Sequence, residues 1–82
     1  MTDRIRVFYV DDEPGLLELG KLFLEKTQGF HVDTSISAPQ ALMSDTIRTC
    51  EIIVADYQMP EMNGIALLKA VREQYGDLPF IL

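Results

Sequence analysis

Basic residues are scarce in these 82 residues: seven Lys and Arg stand against thirteen Asp and Glu, a net charge of −6. That balance argues against gripping a nucleic-acid backbone, which needs Lys and Arg to displace condensed counterions. It equally disfavours an anionic membrane surface. Long apolar runs are missing too. The longest, such as Val7 to Val10, holds four residues, so no helix built from them spans a bilayer. Arg4 and Arg6 precede that run, but Asp11, Asp12 and Glu13 close it too early for a signal peptide. Cys50 is the one cysteine, which excludes an internal disulfide and suits a reducing cytoplasm, the expected compartment. There is no internal repeat, low-complexity tract or linker. Apolar residues make up 48% of the chain, which reads as one small globular domain.

Strand-like and helix-like segments alternate along it. Ile5-Arg6-Val7-Phe8-Tyr9-Val10 is β-branched, aromatic and almost solidly apolar at its end, the pattern of a strand buried on both faces. Pro14 fits a first helical turn. Leu16, Leu19 and Phe23, with Leu22 beside them, then repeat at helical spacing to about Lys26, and Gly29 supplies a stop. Phe30, Val32 and Thr34 alternate with His31 and Asp33, as in a half-exposed or edge strand. Ser37 is placed to cap a second helix, with Pro39 in its first turn and Ala41, Leu42 and Ile47 on one face. Ile52-Ile53-Val54-Ala55 is a short solid run, read as a central strand. Asn63 can cap a third helix carrying Ile65, Leu68, Val71 and Tyr75, which Gly76 ends, and Leu78 to Leu82 opens a fourth strand.

The order βαβαβαβ predicts a parallel α/β sheet, since each helix is a right-handed crossover between parallel strands. Ligands in such sheets bind outside the carboxyl ends of the strands, where the strand order reverses. Asp11 and Asp12 follow the first strand and Asp56 the third, so neighbouring strands would bring three carboxylates to one crevice. Packed like charges resist ionisation unless compensated. A hard divalent cation compensates them, and Mg²⁺, with its oxygen preference and retained waters, is the natural occupant. A carboxylate can also act as nucleophile towards phosphorus, forming an aspartyl phosphate. The plainer alternative is that Asp11, Asp12 and Glu13 favour the positive end of the first helix.

Val10-Asp11-Asp12-Glu13, followed by Asp56-Tyr57-Gln58-Met59-Pro60-Glu61-Met62-Asn63-Gly64, resembles the receiver domain of two-component response regulators. The Asp-x-x-Met-Pro-x-x-x-Gly spacing is complete, and the element order matches along the whole chain. The resemblance implies a flavodoxin-like, doubly wound parallel sheet, with residues 1–82 as the N-terminal two-thirds of a receiver. It implies that Asp56 accepts a phosphoryl group from a phosphohistidine on a sensor histidine kinase or phosphotransfer protein. By the same resemblance Asp12 binds Mg²⁺ directly, Asp11 binds it through a water, and Asp56 and the Gln58 backbone carbonyl complete the protein ligands. The Gln58 side chain lies where the family tunes phosphoryl lifetime, while Met59, Pro60 and Gly64 shape the loop.

Receivers carry a Ser or Thr after the fourth strand, and a Lys and an aromatic switch residue on the fifth. Lys21, Lys26 and Lys69 lie on expected helices and do not match that lysine. The alternative function is therefore a receiver-shaped docking or dimerisation module that takes no phosphate. Either way the chain is expected to be a signalling element rather than an enzyme. A phosphatase using Asp56 for turnover would resemble a paired Asp-x-Asp loop and need more chain for a cap and base. Other residues carry blander expectations. His31 reads as a surface histidine, and Cys50, with no histidine companion, as a poor nucleophile. Tyr9 and Tyr57 lack the basic neighbours of a nucleic-acid stacking platform.

Overall fold

The computed structural model describes residues 4–82. Four strands, β1 (Ile5–Val10), β2 (Phe30–Ser35), β3 (Ile52–Ala55) and β4 (Phe80–Ile81), alternate with helices α1 (Pro14–Lys26), α2 (Ala38–Met43), α3 (Thr46–Thr49) and α4 (Gly64–Tyr75). All strand pairs are parallel, in the order β2-β1-β3-β4. This is the flavodoxin-like arrangement, with β1 and β3 central and β2 at an edge.

The two sheet faces are covered unequally. Phe8, Val10, Ile53 and Ala55 pack with Ala38, Ala41, Ile47, Leu67 and Val71 in one buried cluster under α2, α3 and α4. Full burial of Phe8, Ile53 or Leu67 contributes about 1.5–3 kcal/mol each. Val7, Leu17 and Val32 are also buried, outside that cluster, where α1 packs on β1 and β2.

The expected α1 stripe is not the buried one. Leu16, Leu19, Leu22 and Phe23 are exposed, Phe23 to 72%. Leu17, Gly20, Lys21 and Leu24 form the less exposed stripe. Gly20 lies there because the Tyr9 ring fills its place: a Cβ on Gly20 would come 2.5 Å from a Tyr9 ring carbon. A glycine and a lysine hide the inward face from any search for apolar periodicity.

The single helix expected after Ser37 is two. Ser37 caps α2 as foreseen, its hydroxyl accepting the Gln40 amide at 3.2 Å. Ser44 then turns extended, and its hydroxyl accepts the Thr46 amide at 3.2 Å, so a side chain replaces the helical partner and α3 starts anew. Ile47 is buried from α3 rather than α2. On β2 the buried residues are Val32 and Ser35, and Thr34 is exposed. On α4 Leu67 is fully buried, whereas Ile65, Leu68 and Tyr75 are only half-buried.

Candidate functional site

Parallel register sets the site. Val10 lies opposite Ala55, so the residues that follow, Asp11 and Asp56, leave adjacent strands side by side. The Asp56 amide donates to the Val10 carbonyl at 3.0 Å, and the Asp11 amide to the Ser35 carbonyl at 3.1 Å. Both acids are thereby anchored by the sheet's own ladder. Asp12 is half-buried beside them. One carboxylate oxygen from each of Asp11, Asp12 and Asp56 falls within 4.8 Å of the others. The three predicted acids are brought together.

Asp11 is buried, at 5% exposure, and its Oδ1 accepts the Glu13 amide at 3.0 Å. Burial pushes its pKa up from the ordinary 3.8; the Glu13 amide opposes this, and the charges of Asp56 and Asp12 add to it. The helix-terminus alternative is met only in part, through the Asp11 contact with the Glu13 amide at the start of α1. Glu13 is the α1 N-cap but makes no side-chain capping bond, and the first turn holds no acid.

The segment after β3 frames the other side. Met59 is buried and pins the loop to the core, and Glu61 takes a left-handed φ of 67°. The Gly64 amide donates to the Tyr57 carbonyl at 3.0 Å, folding α4 back onto the end of β3. A Cβ on Gly64 would approach the Asp56 carbonyl oxygen to 2.5 Å, so only glycine allows that closeness. Asn63 caps α4, its Oδ1 accepting the Ala66 amide at 2.9 Å, as its position foretold. Asp12, Tyr57, Gln58, Met59, Pro60 and Asn63 line an open cleft of about 590 Å³. Gln58 thus lies at the site. Tyr57, set aside as a nucleic-acid stacking platform for want of basic neighbours, is a lining residue of the cleft; its place next to Asp56 was the available signal.

Three oxygen donors, one of them buried against two like charges, suit a hard cation, because ionised Asp11 is otherwise poorly compensated. The remaining candidates lie elsewhere. His31 is exposed, with Nδ1 3.9 Å from Glu25 and Nε2 3.5 Å from Asp33. Cys50 is buried, its thiol directed at the Ile47 carbonyl, and burial raises its pKa, the state of an inert thiol.

The family model for the response regulator receiver domain matches residues 7–82. The chain belongs to that family. Receiver relatives include a probable C4-dicarboxylate response regulator, DctR, of Halalkalibacterium halodurans, 32% identical over 94% of this chain and 34% of its own length. The response regulator SaeR of Staphylococcus aureus is 36% identical over 88% of this chain and 31% of its own. The chain thus spans about a third of the length of the curated relatives it matches. Among solved structures, the response regulator TrrA of Thermotoga maritima in complex with Mg²⁺-BeF superposes with a TM-score of 0.86, at 29% identity, over 95% of this chain and 67% of that one. A complex of the histidine kinase ThkA with TrrA gives a TM-score of 0.82 at 28% identity, over 93% of this chain and 65% of that one. This receiver domain has, among its described residues, no helix long and apolar enough to cross a membrane.

Proposed function

We propose that this receiver domain takes a phosphoryl group on Asp56 from a phosphohistidine of a sensor histidine kinase or phosphotransfer protein, and that its partner surfaces change in consequence. The convergence of three carboxylate oxygens within 4.8 Å carries the reading. The Mg²⁺-BeF complex of TrrA and the kinase complex of the same protein support it by family likeness.

Asp11, Asp12 and Asp56, with the Gln58 backbone carbonyl, are the groups proposed to hold Mg²⁺. Bound there, the ion would neutralise charge on the phosphoryl oxygens. Asp56 supplies the nucleophilic carboxylate oxygen; its backbone is fixed by Val10 and by the close approach of Gly64, so the attack needs little reorganisation. Asp11 is buried, and its ionised carboxylate would be compensated by a cation held in the crevice. In this reading the domain is a phospho-acceptor that at most promotes its own phosphorylation and dephosphorylation, and is not otherwise an enzyme.

A second reading, a docking or dimerisation module that takes no phosphate, is favoured by the exposed Leu16, Leu19, Leu22 and Phe23 of α1. One experiment separates the two. The full-length protein is incubated with acetyl phosphate, with and without Mg²⁺, beside its Asp56→Asn variant. An acid-stable, base-labile adduct is expected only in the wild type and only with Mg²⁺, because an amide is a poor nucleophile of nearly the same shape. No adduct in the wild type favours the docking module; labelling that persists in Asp56→Asn moves the acceptor elsewhere.

A further inference from the structure

We propose that the cleft beside Asp56 seats the leaving group of the phosphoryl donor, an imidazole ring, against the face of Tyr57. The inference rests on Asp56 being the acceptor, and it assigns a donor-selecting role to the residue after it.

An oxygen of Asp56 forms the new O–P bond while the P–N bond of the donor breaks. The ring nitrogen keeps the bonding electron pair and then takes a proton from water. Attacking and leaving atoms lie roughly in line, so the departing ring must sit across the phosphorus from Asp56, in the open part of the site. That space is the cleft of about 590 Å³, bounded by Asp12 on the β1 side and by Tyr57, Pro60 and Asn63 on the loop side. A five-membered heterocycle fits well inside it.

Tyr57 is the one aromatic residue on its wall. The residue is 54% exposed, an arrangement that leaves apolar ring surface in water. Its backbone, by contrast, is held firmly. The Tyr57 carbonyl accepts the Gly64 amide at 3.0 Å, and its Cα lies 3.2 Å from the place a Gly64 Cβ would take. The point from which the ring projects is therefore fixed, so stacking a second ring on it requires no ordering of the backbone. Aromatic pairs of this kind add attraction beyond area burial. Small donors without a ring gain nothing from it.

The test compares three donors of Asp56 in the full-length protein with Mg²⁺ present: monophosphoimidazole, phosphoramidate and acetyl phosphate. Tyr57→Ala and Tyr57→Leu are expected to slow labelling by monophosphoimidazole about three- to tenfold relative to the other two donors. Tyr57→Phe is expected to keep the wild-type ratio, since it keeps the ring. An equal loss with all three donors, or no loss with any, overturns the stacking seat and leaves Asp56 as the acceptor. Absence of Asp56 labelling by every donor in the wild type removes the acceptor itself, and the seat with it.

Discussion

The Asp56 amide donates to the carbonyl of Val10 at 3.0 Å. Val10 immediately precedes the acid pair, so the same ladder that joins β1 to β3 fixes the spacing between Asp56 and Asp11–Asp12. The site is an extension of the sheet rather than a free loop, and a shift in strand register would dismantle it. Substitutions at the three acids should therefore change ligand binding while leaving the fold intact.

Mg²⁺ is expected to bind weakly, because most of its coordination positions would be filled by water. Titration should perturb the amide resonances of Asp11, Asp12, Asp56 and Gln58. Asp12→Ala should abolish the response with an unchanged circular dichroism spectrum. A response that persists undiminished in Asp12→Ala would put the ion elsewhere.

Asp11 sets a pH dependence. Its folded pKa is raised by burial and by its acidic neighbours, so the folded state favours the protonated form more than the unfolded chain does. Without a cation its ionisation therefore costs stability as pH rises through the raised value. That cost disappears as pH falls back towards the ordinary 3.8. Asp11→Asn keeps an oxygen for the Glu13 amide but carries no charge. It should melt above the wild type at neutral pH without Mg²⁺, and the difference should shrink on acidification. Saturating Mg²⁺ should raise the wild-type Tm more than that of the variant. A variant that melts at or below the wild type in metal-free neutral buffer contradicts the assignment.

How legible this was differs by element. The solid runs at Ile5–Val10 and Ile52–Ala55 announced central strands, and capping residues Ser37 and Asn63 announced helix starts, because each rests on local chemistry. The inward face of α1 was illegible, since Gly20 and Lys21 occupy two of its positions and Leu16, Leu19 and Phe23 offer a better apolar rhythm on the outside. The break at Ser44 depends on a side-chain hydrogen bond that competes with one more helical turn, and propensity alone does not decide it. The three acids were legible because two solid apolar runs marked central strands and the receiver resemblance supplied their order. The role of Tyr57 was not, since its exposure and its tether to Gly64 exist only in three dimensions.

Tyr9 and Gly20 form a complementary pair that can be reversed. Gly20→Ala places a Cβ 2.5 Å from the Tyr9 ring, so ring or helix must shift. Overpacking of that kind costs about 1–3 kcal/mol, more than the roughly 1 kcal/mol that alanine gains over glycine inside a helix. The single variant should be destabilised in urea. In a Tyr9→Val background the obstruction is gone, and the same Gly20→Ala change should stabilise by about 0.5–1 kcal/mol. The same sign in both backgrounds would show that the ring does not dictate the glycine.

Residues 1–82 produced by themselves should self-associate. Leu16, Leu19, Leu22 and Phe23 are all exposed on α1, and Ile81 and Leu82 are exposed at the β4 edge of the sheet. Among the described residues β4 pairs only with β3, so its outer edge presents unpaired N–H and C=O groups. Clustered exposed apolar side chains and an open edge both drive association, and a domain this small has little stability to offset them. Sedimentation should show species larger than a monomer that grow with concentration. Leu19→Glu combined with Phe23→Lys should reduce association through α1 without changing the circular dichroism spectrum, because both side chains point into solvent in the monomer. Residual association in that variant would then report on the β4 edge. A wild-type segment that stays a cooperative monomer at high concentration would show that neither surface is sticky enough to matter.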